Sequence, residues 1–148
     1  MSSLKLEGKY FVKLYGPDGT LKEEREGHNV VTTVGKEFMA SYFYSGAIAA
    51  STFTAKYIAI GTDATAEAVG NTTLGVEASR HTGTAAYVSG CIYQVTATFA
   101  TGSGTGAITE YGLLSSNTGG TLISRDTESV INKGANDTLT VTYQMTLS

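Results

Sequence analysis

Residues 138–148, TLTVTYQMTLS, alternate almost without fault. Leu139, Val141, Tyr143, Met145 and Leu147 fall on one side; Thr138, Thr140, Thr142, Gln144, Thr146 and Ser148 fall on the other. Successive residues of a strand face opposite sides of its sheet, so this stretch reads as a strand with one apolar and one hydroxyl-rich face. So apolar a segment is a liability when left loose. It is therefore expected to be central or near-central in its sheet and to close a core. Residues 91–100 repeat the pattern, with Cys91, Tyr93, Val95, Ala97 and Phe99 inward and Ile92, Gln94, Thr96 and Thr98 outward.

The remaining chain supplies partners for these two strands. Residues 4–15 form a first strand, with Tyr10, Val12 and Leu14 on one face. Gly16-Pro17-Asp18-Gly19 is turn chemistry, and residues 20–26 return as a hairpin partner that Gly27 ends. The charge of Lys22-Glu23-Glu24-Arg25-Glu26 suggests an exposed sheet edge. His28 to Val31 reads as an extended link. Thr32 or Thr33 then caps a helix over residues 34–44, whose stripe is Val34, Phe38, Met39, Tyr42 and Phe43, with Gly46 as its stop.

Residues 56–60, KYIAI, are apolar enough to imply cover on both faces. A small-residue loop follows, then one helical turn over 73–76 and extended chain from 77 to 80. Short strands are expected at 85–88, 107–115 and 121–126, with Gly102–Gly106 as a hairpin loop and 132–137 as the last turn. Strands without intervening helices favour an antiparallel β-sandwich or jelly-roll-like barrel, here with one short α-helix in the N-terminal third. The 148 residues make one domain, 1–148, with a possible extended segment over 1–8.

Composition agrees and excludes other classes. Charged residues make up only 16%, and polarity comes instead from Thr, Ser, Asn and 18 glycines. A disordered chain is richer in charge and poorer in apolar residues. Net charge is -3 without a Lys/Arg cluster, so no nucleic-acid partner is expected. No stretch approaches the ~20 apolar residues of a membrane span, and no membrane partner is expected. MSSLKLEGKYF lacks the apolar run of a signal peptide, which points to synthesis in a cytoplasm without the usual export signal. The lone Cys91 allows no internal disulfide and reads as a small core residue.

No catalytic, cofactor or metal site is expected. Gly102–Gly106 is followed by strand sequence, ITEY, where a phosphate cradle needs a helix N-terminus. His28 and His81 lack metal-ligand spacing. Asp63, Glu67 and Asp137 are chemically able to hold calcium but show no DxDxDG ladder. No GxSxG elbow marks a nucleophile. One polar set reads as structural: Glu110 interrupts apolar strand sequence, and a buried carboxylate there needs a partner, either Arg80 or Arg125.

Several stretches, in order, resemble a known class. They are Tyr57-Ile58-Ala59-Ile60-Gly61-Thr62; Thr73-Leu74-Gly75-Val76-Glu77-Ala78-Ser79-Arg80; Ile108-Thr109-Glu110-Tyr111-Gly112-Leu113-Leu114; Thr121-Leu122-Ile123-Ser124-Arg125; and Ile131-Asn132-Lys133-Gly134 through Asp137 to the last strand. This order resembles small β-sandwich virion proteins of tailed bacteriophages, among their head-decoration, tail and fibre-associated proteins. It covers residues 56–148 and brings no catalytic residues. The resemblance implies a capsid decoration (cement) protein, assembled in a host cytoplasm into the virion. It would bind the major capsid protein or other virion proteins as a homo-oligomer, a trimer by preference. The alternatives are a tail- or fibre-associated adaptor or adhesin, and a carbohydrate-binding module. Contact is then expected through Ser2, Ser3, Leu4, Lys5 and Leu6, and through small-residue loops that include Phe53.

Overall fold

A computed structural model describes residues 5–45, 55–88 and 90–148. Among them run nine strands and one helix: β1 (Leu6–Tyr15), β2 (Leu21–Val31), α1 (Thr33–Ser45), β3 (Tyr57–Gly61), β4 (Glu77–Thr82), β5 (Thr84–Tyr87), β6 (Ile92–Phe99), β7 (Gly106–Leu114), β8 (Leu122–Lys133) and β9 (Thr138–Leu147). All pairings are antiparallel, in the order β4-β3-β7-β8-β2-β1-β9-β6-β5. The expected class, mainly β and antiparallel with one short helix, is the class observed.

The two outermost strands of that order are separated in sequence by Gly83 alone. One extended run thus pairs with β3 along its first part, as in Tyr57↔Thr82, and with β6 along its second, as in Thr84↔Thr96. The sheet curls on itself and is nearly closed. At the corner the Gly83 N–H donates to Lys56 O at 2.6 Å. A Cβ at Gly83 would overlap Val95 Cγ1 and stand 3.0 Å from the Lys56 carbonyl oxygen. The corner therefore needs a residue without a side chain.

Between β2 and β8 the sheet is joined by little. They pair only at Val30↔Arg125 and Val31↔Ser124. Beyond that point β8 carries a wide irregularity. Its pairing with β7 jumps from Glu110↔Thr127 to Ile108↔Ile131, which sets Glu128, Ser129 and Val130 against Thr109 alone. Arg25 of β2 spans the resulting seam, donating from Nε to Ser129 Oγ at 2.8 Å and from Nη2 to Val130 O at 3.1 Å.

The core is built on β9, which lies between β1 and β6 in full register. Inward residues Leu139, Val141 and Tyr143 meet Leu14, Val12 and Tyr10 on one side and Phe99, Ala97 and Val95 on the other, all buried. A smaller core of Ala59, Leu74, Leu114 and Leu122 lies apart from it, and Leu74 comes from the β3–β4 connection. That second layer explains why β3 reads as continuously apolar. Helix α1 is capped by Thr32, whose Oγ1 accepts from Gly35 N–H at 3.0 Å and donates to Leu122 O at 2.5 Å. Phe38 and Met39 turn toward the main core.

Several expectations are corrected. β2 runs through Gly27 to Val31, because Gly27 is paired in the ladder opposite Tyr10. Nor is β2 an outer strand of the order, although its residues 21–29 lack ladder pairing with β8. β8 extends to Lys133 rather than ending at 126. The loop over Gly102–Gly106 is no hairpin: β6 already has β9 and β5 as neighbours, so the chain crosses to β7. Residues 73–76 form bends rather than a helical turn, because the Gly75 and Val76 amides donate to Glu110. Cys91 is exposed, preceding β6 after a turn at Gly90 with φ of 57°. The proposed helix stop Gly46 and the loop over 47–54 lie outside the described residues.

Gly83→Ala is expected to lower the unfolding free energy by about 1–3 kcal/mol through overpacking. Gly70→Ala, where a Cβ meets nothing within 4 Å, should change it by less than about 0.5 kcal/mol. Urea midpoints of the two variants would show the difference, and equal midpoints would contradict the corner's role.

Candidate functional site

Three polar arrangements stand out, on different faces of the barrel. The first is a latch under the β3–β4 connection. Glu110 is fully buried. Its Oε1 accepts from Gly75 N–H at 2.7 Å and Arg125 Nε at 3.1 Å, and its Oε2 from Asp63 N–H at 2.9 Å and Val76 N–H at 2.8 Å. Arg125, 2% exposed, also places Nη2 3.5 Å from Asp63 Oδ2 and donates from Nη1 to Asn71 Oδ1 at 3.3 Å. One carboxylate thus fastens both ends of residues 63–76, with Leu74 pressed into the smaller core between them. Of the two arginines considered from sequence, Arg125 is the partner. Arg80 pairs instead with Glu77 at 2.6 Å and donates to the Ser116 and Gly119 carbonyls. Register decides this: Arg125 lies opposite Gly112, next to Glu110 on the same face of β7, whereas Arg80 sits on β4.

The second arrangement lines the seam. Asn29 follows Gly27 inward on β2, and Asp126 and Glu128 face them from β8. A Cβ at Gly27 would overlap the Glu128 carboxylate and stand 2.9 Å from Asp126 Oδ2; one at Gly8 would overlap the Asn29 amide. Tyr111 lies directly across the ladder from Asp126. Tyr10 stacks between Tyr143, at 4.9 Å between ring centres, and Tyr111, at 6.2 Å. The Tyr10 hydroxyl is satisfied by Ser124 Oγ at 3.0 Å. The Tyr111 hydroxyl meets no partner in hydrogen-bonding geometry, whereas Tyr143 lies against Ser124 and Asn29 and the Asp126 carboxyl against that of Glu128. Burial, with the Glu128 carboxyl facing it and Glu67 beyond, pushes the Asp126 carboxyl up to about 8. Burial also raises Tyr10 and Tyr111, the latter further under the charge of Asp126. Sequence reasoning missed this cluster. The alternation Ser124-Asp126-Glu128 was the available signal, and its direction depends on register.

The third is the outer face of β6, β9, β1 and β2. Cross-strand pairing sets three rows side by side: Gln94-Gln144-Lys9-His28, Thr96-Thr142-Phe11-Glu26 and Thr98-Thr140-Lys13-Glu24. Gln144 Nε2 donates to Gln94 Oε1 at 2.8 Å, the Thr96 and Thr142 hydroxyls lie 3.3 Å apart, and Lys9 pairs with Glu26 at 2.5 Å. This is the hydroxyl-rich side of the last strand. A shallow depression there is lined by Phe11, Lys13, Tyr15, Thr140, Thr142 and Gln144.

Other candidates do not converge. His81 Nε2 lies 2.7 Å from Ser103 Oγ, which in turn contacts Ser79 Oγ at 3.1 Å. No carboxylate orients the imidazole among the described residues, so the pair lacks the third member of a nucleophilic triad. Asp63 accepts from Thr65, Glu67 accepts from the Thr127 hydroxyl, and Asp137 binds Lys22 and the Gly134 amide; the three are not gathered. Among the described residues no three His, Cys, Asp or Glu side chains surround a common point, and no helix is long and apolar enough to cross a membrane. Of the expected contact residues, Lys5 exchanges backbone hydrogen bonds with Ser148 and Leu6 begins β1; Ser2, Ser3, Leu4 and Phe53 lie outside the described residues. Comparison with protein-family models, with curated proteins and with solved structures finds no match.

Two outcomes are expected. Glu110→Gln weakens a buried ion pair and should destabilise the fold by about 3–5 kcal/mol, with the Asp63, Gly75 and Val76 amides losing protection in hydrogen exchange before the core strands. The seam gives a pH dependence. Between about 4, the ordinary Asp value, and about 8, the folded chain keeps a proton on Asp126 that the unfolded chain has released. Stability from this group is therefore full below that window and lost as pH rises through it. Asp18, Asp63 and Asp137 are each lowered, first by a backbone hydrogen bond, and act in the opposite sense below about 4. Urea midpoints should fall from pH 5 to 8.5, and Asp126→Asn should flatten that slope.

Proposed function

We propose that this chain is a structural subunit of a bacteriophage virion, a capsid decoration protein that stabilises the head by binding between capsomers as a homo-oligomer. The observation that supports it most directly is the outer β6-β9-β1-β2 face. Its side chains are ordered by one another before any partner arrives: Thr against Thr, Gln against Gln, Lys9 against Glu26. A surface fixed in this way loses little side-chain freedom on docking, which favours binding. The resemblance of residues 56–148 to small β-sandwich virion proteins points the same way.

Size adds a constraint. Strands stand about 4.8 Å apart and alternate residues about 6.8 Å apart, so a four-strand, three-row array measures about 14 Å on a side. A stable interface covers about 800 Å² on each partner. The array is therefore the centre of a contact, and either neighbouring loops or several linked copies must complete it. A homo-oligomer answers that need through avidity. The benefit to the shell is mass action: a subunit that binds only the assembled head stabilises it.

Sedimentation of the purified chain, then mixing with emptied heads assembled from the major capsid protein of the same genome, tests this reading. An oligomer that co-sediments with heads and raises their breaking temperature is the expected result. The double variant Thr140→Lys, Thr142→Lys should keep its β-sheet circular dichroism and lose at least tenfold in binding. A chain that neither binds heads nor raises that temperature would remove the decoration reading, and glycan binding by the isolated chain would replace it with the adhesin alternative.

A further inference from the structure

The run that closes the barrel ends on an open edge. β3 pairs with β4 no further than Tyr57↔Thr82, and past Gly83 strand β5 keeps one ladder neighbour, β6, among the described residues. All four residues of β5 are exposed. Ala85 and Tyr87 lie opposite Val95 and Tyr93, on the face that β6 turns inward. Yet Tyr87 is 76% exposed, and Val88, just past the strand, 46%. The sheet thus carries its core-side face beyond the core and leaves it uncovered. The Tyr87 hydroxyl donates to Gly90 O at 2.6 Å, so its own hairpin holds the ring in place.

Native sheets guard such an edge with charge, proline or a bulge. β5 has none of these. Its pairing with β6 runs without interruption, and residues 82–109 contain no Asp, Glu, Lys, Arg or Pro. The contrast with β2 is direct. Where residues 21–29 of β2 lack a ladder with β8, the chain places Lys22-Glu23-Glu24-Arg25-Glu26. The other end of the strand order, β4, carries Glu77 and Arg80. A charge-free edge selects a charge-free strand, because a charge brought against it loses water and meets no opposite charge. The open edge of this chain that meets that condition is β5 itself.

Hydrogen bonding fixes the register. Val88 N–H donates to Ile92 O at 3.2 Å, which makes 88↔92 a hydrogen-bonded pair that continues the pairing of Thr84↔Thr96 through Tyr87↔Tyr93. Such pairs alternate along an antiparallel ladder. Thr84, Ala86 and Val88 therefore turn their backbone groups to β6, and Ala85 and Tyr87 turn theirs to the open edge. We propose that β5 pairs antiparallel with β5 of a second copy, across a two-fold axis at Ala86, so that one sheet runs through two barrels. Ala85 of each copy then exchanges backbone hydrogen bonds with Tyr87 of the other. On one face Tyr87 covers the second copy's Ala85. On the other, Val88 meets the second copy's Thr84, and the two Ala86 side chains meet at the axis. Each large side chain faces a small one, as cross-strand packing and a self-matching two-fold surface both require. The contact supplies the self-association in the decoration reading. It uses a sheet edge rather than the β6-β9-β1-β2 face, and it forms without a head.

Sedimentation velocity of the full isolated chain, in reductant and from micromolar to millimolar concentration, reads this pairing alone. A monomer–dimer equilibrium is expected, weak because a four-residue strand is small beside a standard interface. Ala86→Lys sets like charges together at the axis and should weaken dimerisation about tenfold or more. Ala85→Pro removes an outward N–H and should act likewise. Both positions are exposed and neither change breaks the ladder with β6, so the melting temperature of the dilute chain should hold. The Thr140→Lys, Thr142→Lys variant should dimerise normally, which separates self-pairing from head binding. In a Cys91→Ser background, Ala86→Cys places two thiols across a non-hydrogen-bonded pair, about 4.5 Å between Cα atoms, within disulfide reach. Oxidation should give a covalent dimer, whereas Gly70→Cys, in open space, should not. The proposal is overturned by a chain that stays monomeric throughout, by an odd-numbered oligomer, or by self-association indifferent to Ala86→Lys and Ala85→Pro. It is also overturned if Ala86→Cys cross-links no faster than Gly70→Cys. A monomeric chain whose head binding is lost in Ala86→Lys overturns it as well and assigns the edge to another virion protein.

Discussion

The fold rests on a closure constraint. A curled sheet of nine strands must bring its two ends together, and here they are the two halves of one extended run with Gly83 at the bend. That economy leaves no room for a side chain at the corner, where Val95 and the Lys56 carbonyl press against the backbone. Closing one side so tightly fixes the circumference. The mismatch gathers on the other side, where β2 and β8 share only two residue pairs and β8 bulges by Glu128, Ser129 and Val130. Bulges commonly sit where a sheet must bend or a ladder must end. The seam is thus the complement of the corner, and its polar lining occupies space that a regular ladder would have filled with hydrophobic pairs.

Two acids close together in the structure show how much context decides. Glu110 and Asp126 lie on neighbouring strands and both are buried. Glu110 receives four N–H groups, three from the backbone and one from Arg125, so its desolvation is offset and it organises the long β3–β4 connection. Asp126 faces the barrel interior, where burial and the Glu128 carboxyl hydrogen-bonded beside it push its carboxyl up to about 8. A one-residue change of face separates an ion-paired latch from an acid that keeps its proton, since successive strand residues point opposite ways.

That same dependence on register marks the limit of what the sequence discloses. The clean alternations of β9 and of β6 from Tyr93 to Phe99 are legible because each inward residue is apolar and each outward one polar. The continuous apolarity of β3 likewise implies a second cover, which Leu74 provides. Where strands carry inward polar groups the rule fails. β2 looked finished at Gly27 and β8 at Asp126 because glycine, asparagine and acids follow, yet those residues face each other across the seam. Cys91 fitted the inward alternation of β6 on paper, but the strand begins one residue later and leaves it in solvent. The need of Glu110 for an arginine could be read from its apolar flanks; which arginine could not, because Arg80 and Arg125 differ only in the strand they occupy.

The outer face of β9 is the remaining half of that alternation. Thr140, Thr142 and Gln144 need no burial to be satisfied, yet Thr142 and Gln144 are turned toward Thr96 and Gln94 at hydrogen-bonding distance rather than left to water alone. Such cross-strand pairs contribute only about 0.2–1 kcal/mol each to a sheet, too little to account for three successive rows on grounds of stability. What they do fix is geometry: a regular lattice of hydroxyls and amides, flanked by Phe11 and by the Lys9–Glu26 pair, whose spacing is set by the strands beneath. A partner surface able to match that spacing would meet groups already in place. The inward face of the last strand closes the core, and its outward face presents an ordered polar template, so both halves of one eleven-residue pattern are accounted for by the strands on either side of it.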